Sequence, residues 1–169
     1  EFGLINLIHS SSTRYEKPGR TPWQEILVGI GDDAAAWQSD NHIQLATTDT
    51  LVQDVHFDLD VITWEELGWK ALAVNLSDIA AMGGTPEYAL LSLVLPGRLE
   101  VEDISRFINS MLHLAREFGV ILIGGNVATA PNIVITVTII GCSNGKAMLK
   151  RSTAFSGEQI AVTGYLGLS

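Results

Sequence analysis

The feature that most restricts the fold of this chain is the rhythm of its apolar runs. Residues 25–30 (EILVGI), 43–48 (IQLATT), 87–96 (EYALLSLVLP), 120–125 (VILIGG), 132–141 (NIVITVTIIG) and 159–164 (QIAVTG) each read as a strand. Helical patterns lie among them. Thr63 and Glu66 form a capping-box pattern at the head of TWEELGWKALAVNLSDIAAMGG, and Gly83 and Gly84 stand where that helix can end. From Val101 to Phe118, the residues Ile104, Phe107, Ile108, Met111, Leu112 and Ala115 make an apolar stripe at helical spacing, stopped by Gly119. Residues 2–9 add a short helix, and Met82 and Met111 read as core filler. Long buried strands with two substantial helices give an α+β fold, a sheet covered on one face.

A length of 169 residues suits one domain, and 47% hydrophobic against 17% charged residues excludes a disordered chain. A formal net charge of −9 argues against sequence-independent binding to nucleic acid or to an anionic membrane, because both need clustered positive charge. It suits a protein that collects metal cations. The single cysteine, Cys142, excludes a disulfide within this chain and fits a reducing compartment. No apolar run approaches the roughly 18 residues of a membrane span. EFGLINLIHS lacks the charged front and cleavage site of a signal peptide, so a cytoplasmic protein is the expectation. The chain opens at Glu1 and stops just past a strand-like run, so part of a longer polypeptide is also expected.

The stretch GIGDDAAAW, residues 29–37, sets Asp32 beside Asp33 where a strand is about to enter the core. Adjacent ionised carboxylates repel each other and resist leaving water, so either a cation sits there or the pair occupies a solvated turn. GIGDDA also matches a dinucleotide fingerprint, with Asp49 at the spacing such a site wants. However, that motif must open a helix, and none separates it from the next strand. GCSNGKA, residues 141–147, is one residue short of a phosphate loop between its glycines and has Ala147 where a hydroxyl belongs, so it reads as a hairpin turn.

The acidic positions are more informative. Asp32 and Asp33 end one strand, and Thr47, Thr48 and Asp49 end the next. Asp78 lies on an otherwise apolar helix with Asn75 on the same helical face, and LIGGN ends a further strand with Asn126 exposed. Carboxylate, hydroxyl and amide oxygens are the ligands of hard cations such as Mg²⁺, and no His/Cys cluster has zinc spacing. Each position also has a structural reading: Asp78 as a buried carboxylate paired with Lys70, Thr47 and Thr48 as ordinary strand residues, His56 as a structural histidine. The polar segment SSSTRYEKPGRTPWQ, residues 10–24, reads as a mobile loop or as a lid bringing Arg14, Lys17 or Arg20 to a phosphate.

Taken together, EFGLINLI, IGDDAAAW, TTDTLVQDVHF, LGWKALAVNLSDIAAMGG, LIGGN and LKRSTAFSGEQIAVTGYLG resemble the thiamine-monophosphate kinase family of the aminoimidazole-ribonucleotide-synthetase superfamily, from residue 1 to about 167. The resemblance implies the superfamily's N-terminal ATP- and Mg²⁺-binding domain over residues 1–169, a mixed, largely antiparallel sheet covered by helices. It implies transfer of the ATP γ-phosphoryl group to thiamine monophosphate, yielding thiamine diphosphate. By motif match, Asp33, Thr47, Thr48, Asp49 and Asp78 would bind Mg²⁺, and His56 would contact the thiamine-bearing substrate. Gly125 and Asn126 would approach the nucleotide phosphates, Arg151 would bring them positive charge, and Asp32 looks like an orienting neighbour. Many family members have Asp where this chain has Asn126, an amide with one charge less. The family also implies a C-terminal domain outside this chain and a homodimer paired through the N-terminal domain. The acceptor phosphate is already ionised near neutral pH, so no general base is expected. Two other readings stand beside this one: another ATP-dependent synthetase of the superfamily, and a non-catalytic nucleotide-binding module. The isolated fragment is expected to be inactive.

Overall fold

The computed structural model describes residues 2–13, 24–40, 42–143 and 148–162. Among these are three α-helices, α1 (Phe2–Thr13), α2 (Trp64–Ala81) and α3 (Val101–Glu117). The strands are β1 (Ile26–Val28), β2 (Ala35–Ser39), β3 (His42–Val52), β4 (Thr85–Leu95), β5 (Ile121–Thr129) and β6 (Val134–Ser143). They form one six-stranded sheet in the order β1-β2-β3-β6-β4-β5. Every pairing is antiparallel except β4 with β5, which α3 connects as a crossover. The fold is therefore α+β with a mixed, largely antiparallel sheet.

Local chemistry accounts for the helices. At the head of α2 the Thr63 hydroxyl accepts from the Glu66 amide, while the Glu66 carboxylate accepts from the Thr63 amide at 2.8 Å. At its foot, Gly83 adopts φ +69°, and the Gly84 and Gly83 amides donate to the carbonyls of Ile79 and Ala80. Gly119, with φ +70°, closes α3 by the same two-bond pattern, onto Ala115 and Arg116.

Strand alternation sorts the sheet into two faces. Leu45, Leu51, Leu91, Leu93, Ile135, Val137 and Ile139 turn inward, where Leu67, Leu72 and Ile79 of α2 and Phe107 and Met111 of α3 complete one core. The other face carries Thr48, Thr50, Thr136 and Thr138, with Tyr88, Leu90 and Ile121 exposed. Gly68 lets α2 lie directly against the Phe107 backbone of α3.

Several expectations from the sequence need correction. Thr47, Thr48 and Asp49 lie within β3, which pairing with β6 carries on to Val52, instead of ending a strand, and β2 forms over residues 35–39, where the sequence announces no strand. Residues 10–13 continue α1 rather than opening a loop. The glycine pair of LIGGN does not end β5: pairing with β4 carries that strand through Gly124, Gly125 and Asn126 to Thr129. The run 159–164 forms no strand in its described part, residues 159–162. Arg14, Lys17 and Arg20, and the tip of the expected hairpin at 144–147, lie outside the described residues.

Candidate active site

A cavity of about 970 Å³ opens where β1, β2 and β3 meet the side of α2. Asp32 and Asp33 come from the β1–β2 connection, Thr47 and Asp49 from the inward face of β3, Asp78 from α2 and Arg151 from the segment after β6. Thr47 is buried, and its hydroxyl donates to Asp78 Oδ2 at 2.7 Å, tying the strand to the helix. Asp49, two residues along the same face, has its pKa raised above the ordinary carboxyl value. Partial burial is the first cause and repulsion from Asp78 the second, while nearby His56 opposes both.

Across the cavity the paired aspartates divide their work. Asp32 accepts from the Asp33 amide at 3.0 Å and from the Arg151 amide at 3.4 Å, so it holds backbone in place. Asp33 takes the Arg151 guanidinium through both Nε and Nη2. Hydrogen bonding and attraction to Asp33 raise the Arg151 pKa further above its ordinary value. The segment that delivers Arg151 is laid down along the end of α2, where the Leu149 amide donates to the Met82 carbonyl at 3.2 Å. A positive side chain thus already occupies the place where carboxylates call for a cation.

The set expected from sequence is not brought together whole. Strand alternation turns Thr48 to the face opposite Thr47 and Asp49, although Thr48 also borders the cavity. The Thr48 hydroxyl donates to the Val137 carbonyl at 3.2 Å and accepts from Thr138 at 2.9 Å. Gly125 and Asn126 lie on β5, with β6 and β4 between them and β3, and take no part in this cavity. A Cβ at Gly125 would overlap the Leu91 backbone, so close strand packing is itself sufficient reason for glycine there. His56 is not among the residues that line the cavity, although it lies near enough to act on the Asp49 carboxyl.

Lys70 does something its sequence position did not announce. Instead of pairing with Asp78, its Nζ donates to the His56 carbonyl at 2.8 Å. A bond to backbone leaves no signature in the residue that receives it. Asn75, one turn before Asp78, is fully buried, and its side-chain carbonyl has no partner among the described residues. No group of three His, Cys, Asp or Glu side chains among the described residues is placed to hold a metal ion by itself. The donors are nonetheless oxygens of the kind hard cations take, and they line one cavity.

The fold and the cavity define an α+β domain that gathers carboxylates and one guanidinium at the edge of a helix-covered sheet. The chain belongs to the AIR synthase related protein family, whose N-terminal domain matches residues 31–143. Among its relatives, the thiamine-monophosphate kinase of Bacillus subtilis is 42% identical over 168 residues, covering 98% of this chain and 50% of the relative. That of Haemophilus influenzae is 42% identical over 151 residues, covering 85% and 45%. The solved structure of AaThiL complexed with AMPPCP and TMP superposes with a TM-score of 0.76 at 36% identity, covering 92% of this chain and 45% of that one. The chain spans about half the length of the curated relatives it matches. The HypE–HypF complex, at 20% identity and a TM-score of 0.60, shares the fold.

Proposed function

We propose that this chain is the N-terminal, ATP-binding part of a kinase that phosphorylates thiamine monophosphate to thiamine diphosphate. The observation that carries this reading is the cavity: Asp33, Thr47, Asp49 and Asp78 line it together, with Arg151 already drawn to Asp33. The relatives named above act on thiamine monophosphate, and the AaThiL complex holds an ATP analogue together with TMP.

In this reading Asp33, Asp49 and Asp78 hold Mg²⁺, with Thr47 steadying Asp78. Thr48 remains a candidate ligand only if its hydroxyl oxygen turns from the opposite face of β3 toward the cavity. Such ions are commonly held by one or two carboxylates and completed by phosphate oxygens and water, which suits a site with no closed protein cage. Bound Mg²⁺ supplies charge neutralisation where two anions must approach. The protein's own part is positioning. Asp32 sets the backbone of Asp33 and Arg151, Arg151 moves from Asp33 to the nucleotide phosphates, and His56 meets the acceptor beside Asp49. No residue need take a proton from an acceptor already ionised. Gly125 and Asn126 serve a nucleotide held near a homodimer interface, and the face bearing Tyr88, Leu90 and Ile121 offers the surface for that pairing. No helix among the described residues is long and apolar enough to cross a membrane, and we place the protein in the cytoplasm.

The test uses the intact polypeptide, incubated with Mg²⁺, ATP and thiamine monophosphate. Thiamine diphosphate is measured by fluorescence after oxidation to the thiochrome. Product that requires both Mg²⁺ and ATP is expected. Absence of product from folded protein that still binds Mg²⁺–ATP would overturn the reading.

A further inference from the structure

The loop that carries His56 is held far more firmly than an exposed connection requires. The amides of Val55 and His56 both donate to the Val52 carbonyl, at 3.2 and 2.9 Å, and the Asp54 amide donates to Phe57 at 2.8 Å. Asp54 accepts a left-handed φ of 63° to close the turn, and Phe57 is buried in the core. At the base of the loop, Gln53 bonds Ile133 in both directions: its amide to the Ile133 carbonyl at 3.0 Å, and the Ile133 amide to Gln53 Oε1 at 3.3 Å.

Inside this frame the Val52 amide donates to His56 Nδ1 at 3.0 Å. An amide N–H can only donate, so Nδ1 must accept, and the ring hydrogen of the neutral imidazole is on Nε2. From the helix side, Lys70 Nζ donates to the His56 carbonyl, fixing the backbone from which the ring projects.

We infer that Lys70 is a positioning residue that fixes the His56 backbone so that the Val52 amide keeps the ring an Nε2–H donor, and that the site therefore selects an acceptor substrate presenting a hydrogen-bond-accepting atom to that ring. This rests on the proposed function for the identity of the acceptor, but the ring's state does not depend on it. A free ring at an exposed loop would rotate and exchange tautomers. A clamped one meets the substrate with its donor already set, so less ordering is left for the moment of binding.

The experiment has two arms on the intact polypeptide. The first records long-range ¹H–¹⁵N spectra of the histidine rings, assigned through His56→Gln, in the wild-type protein, Lys70→Met and Lys70→Arg. A proton-free Nδ1 is expected for His56 in the wild type, a mixture of tautomers in Lys70→Met, and the wild-type pattern again in Lys70→Arg. The second measures steady-state kinetics. Loss of one charge-assisted bond acting through the ring is expected to raise the acceptor KM about tenfold in Lys70→Met. The ATP KM should stay within about twofold, which a general structural defect would not spare. A hydrogen on Nδ1 in the wild type overturns the inference. So does a Lys70→Met protein whose spectrum and acceptor KM are both unchanged. If the intact protein makes no thiamine diphosphate, the functional reading falls and the spectra alone decide the role of Lys70.

Discussion

Substitution of Asp78 separates a structural role from a cation-binding one, because two replacements differ in only one respect. In Asp78→Asn the amide oxygen can still accept from the Thr47 hydroxyl, now 2.7 Å from Asp78 Oδ2. Replacing the charge weakens that bond by about 1 kcal/mol. It also removes repulsion with Asp49, whose backbone lies about 7 Å beyond that of Thr47 at strand spacing. Taking roughly that spacing for the two carboxylates, unit charges interact by about 0.6 kcal/mol at the dielectric of water and about 2.4 kcal/mol at an effective dielectric of 20. Asp49 is only partly buried, so solvent screening puts the relief near the lower figure, about 0.5–1 kcal/mol. The two effects nearly cancel, and without divalent cation the variant should unfold within about 0.5 kcal/mol of the wild type. Asp78→Ala behaves differently, leaving the buried Thr47 hydroxyl without a partner at a cost of about 1–3 kcal/mol. With Mg²⁺ at ten times its dissociation constant, the wild type should gain about 1.4 kcal/mol, and neither variant should gain it. Thermal unfolding with and without Mg²⁺ reads all three proteins, the expected wild-type shift being roughly 3–6 °C. An Asn variant that keeps the full Mg²⁺ shift would refute the cation-binding role of Asp78. One as unstable as the Ala variant without Mg²⁺ would refute the hydrogen-bond account.

Two further predictions concern the frame around the site. Hydrogen bonds from the Thr63 backbone and side chain lower the Glu66 pKa below its ordinary 4.5, so the folded state holds that proton less tightly than the unfolded chain. The contribution is then complete above the unfolded value and fades as pH falls through the folded one. Thr63→Ala should lower stability by about 1 kcal/mol near neutral pH and weaken this acid dependence without abolishing it, because the alanine amide still donates to the Glu66 carboxylate; urea midpoints at neutral and acidic pH read both, and an unchanged acid slope would refute the side-chain part of the capping account. Gly68→Ala would place a methyl group against the Phe107 backbone, which has no flexible side chain to yield. The helix-propensity gain of about 1 kcal/mol is outweighed by overpacking of about 1–3 kcal/mol, so denaturant titration should show a net loss, and a gain would mean that α2 and α3 part freely.

Some of this was legible without coordinates. The capping box at Thr63 and Glu66 and the glycine stops of both long helices depend on contacts within about four residues, and sequence carries such contacts directly. The stripe of α3 and the β-branched run of β6 were equally plain. Other features were misread for a common reason. A Gly-Gly-Asn segment looks like a strand end locally, yet β4 pairs with it and carries β5 past it. The alternation that divides Thr47 from Thr48 follows once the strand is drawn, but which face receives the helix does not. The pairing of Lys70 with Asp78 that the sequence allows is not made, because Lys70 finds a backbone carbonyl instead, and no charge pattern in the sequence marks such a partner.

The sequence by itself determined the two long helices with their caps, most of the strands and the kind of chemistry available: oxygen donors on strands, in one turn and on one helix, within an acidic chain. Only the tertiary structure decided that Asp33, Thr47, Asp49, Asp78 and Arg151 share one cavity while Asn126 lies two intervening strands away. The physical reason is range. Helical periodicity and capping act between near neighbours, whereas strand order is set by backbone pairing between distant segments, such as Thr48 with Thr138 and Leu90 with Thr138.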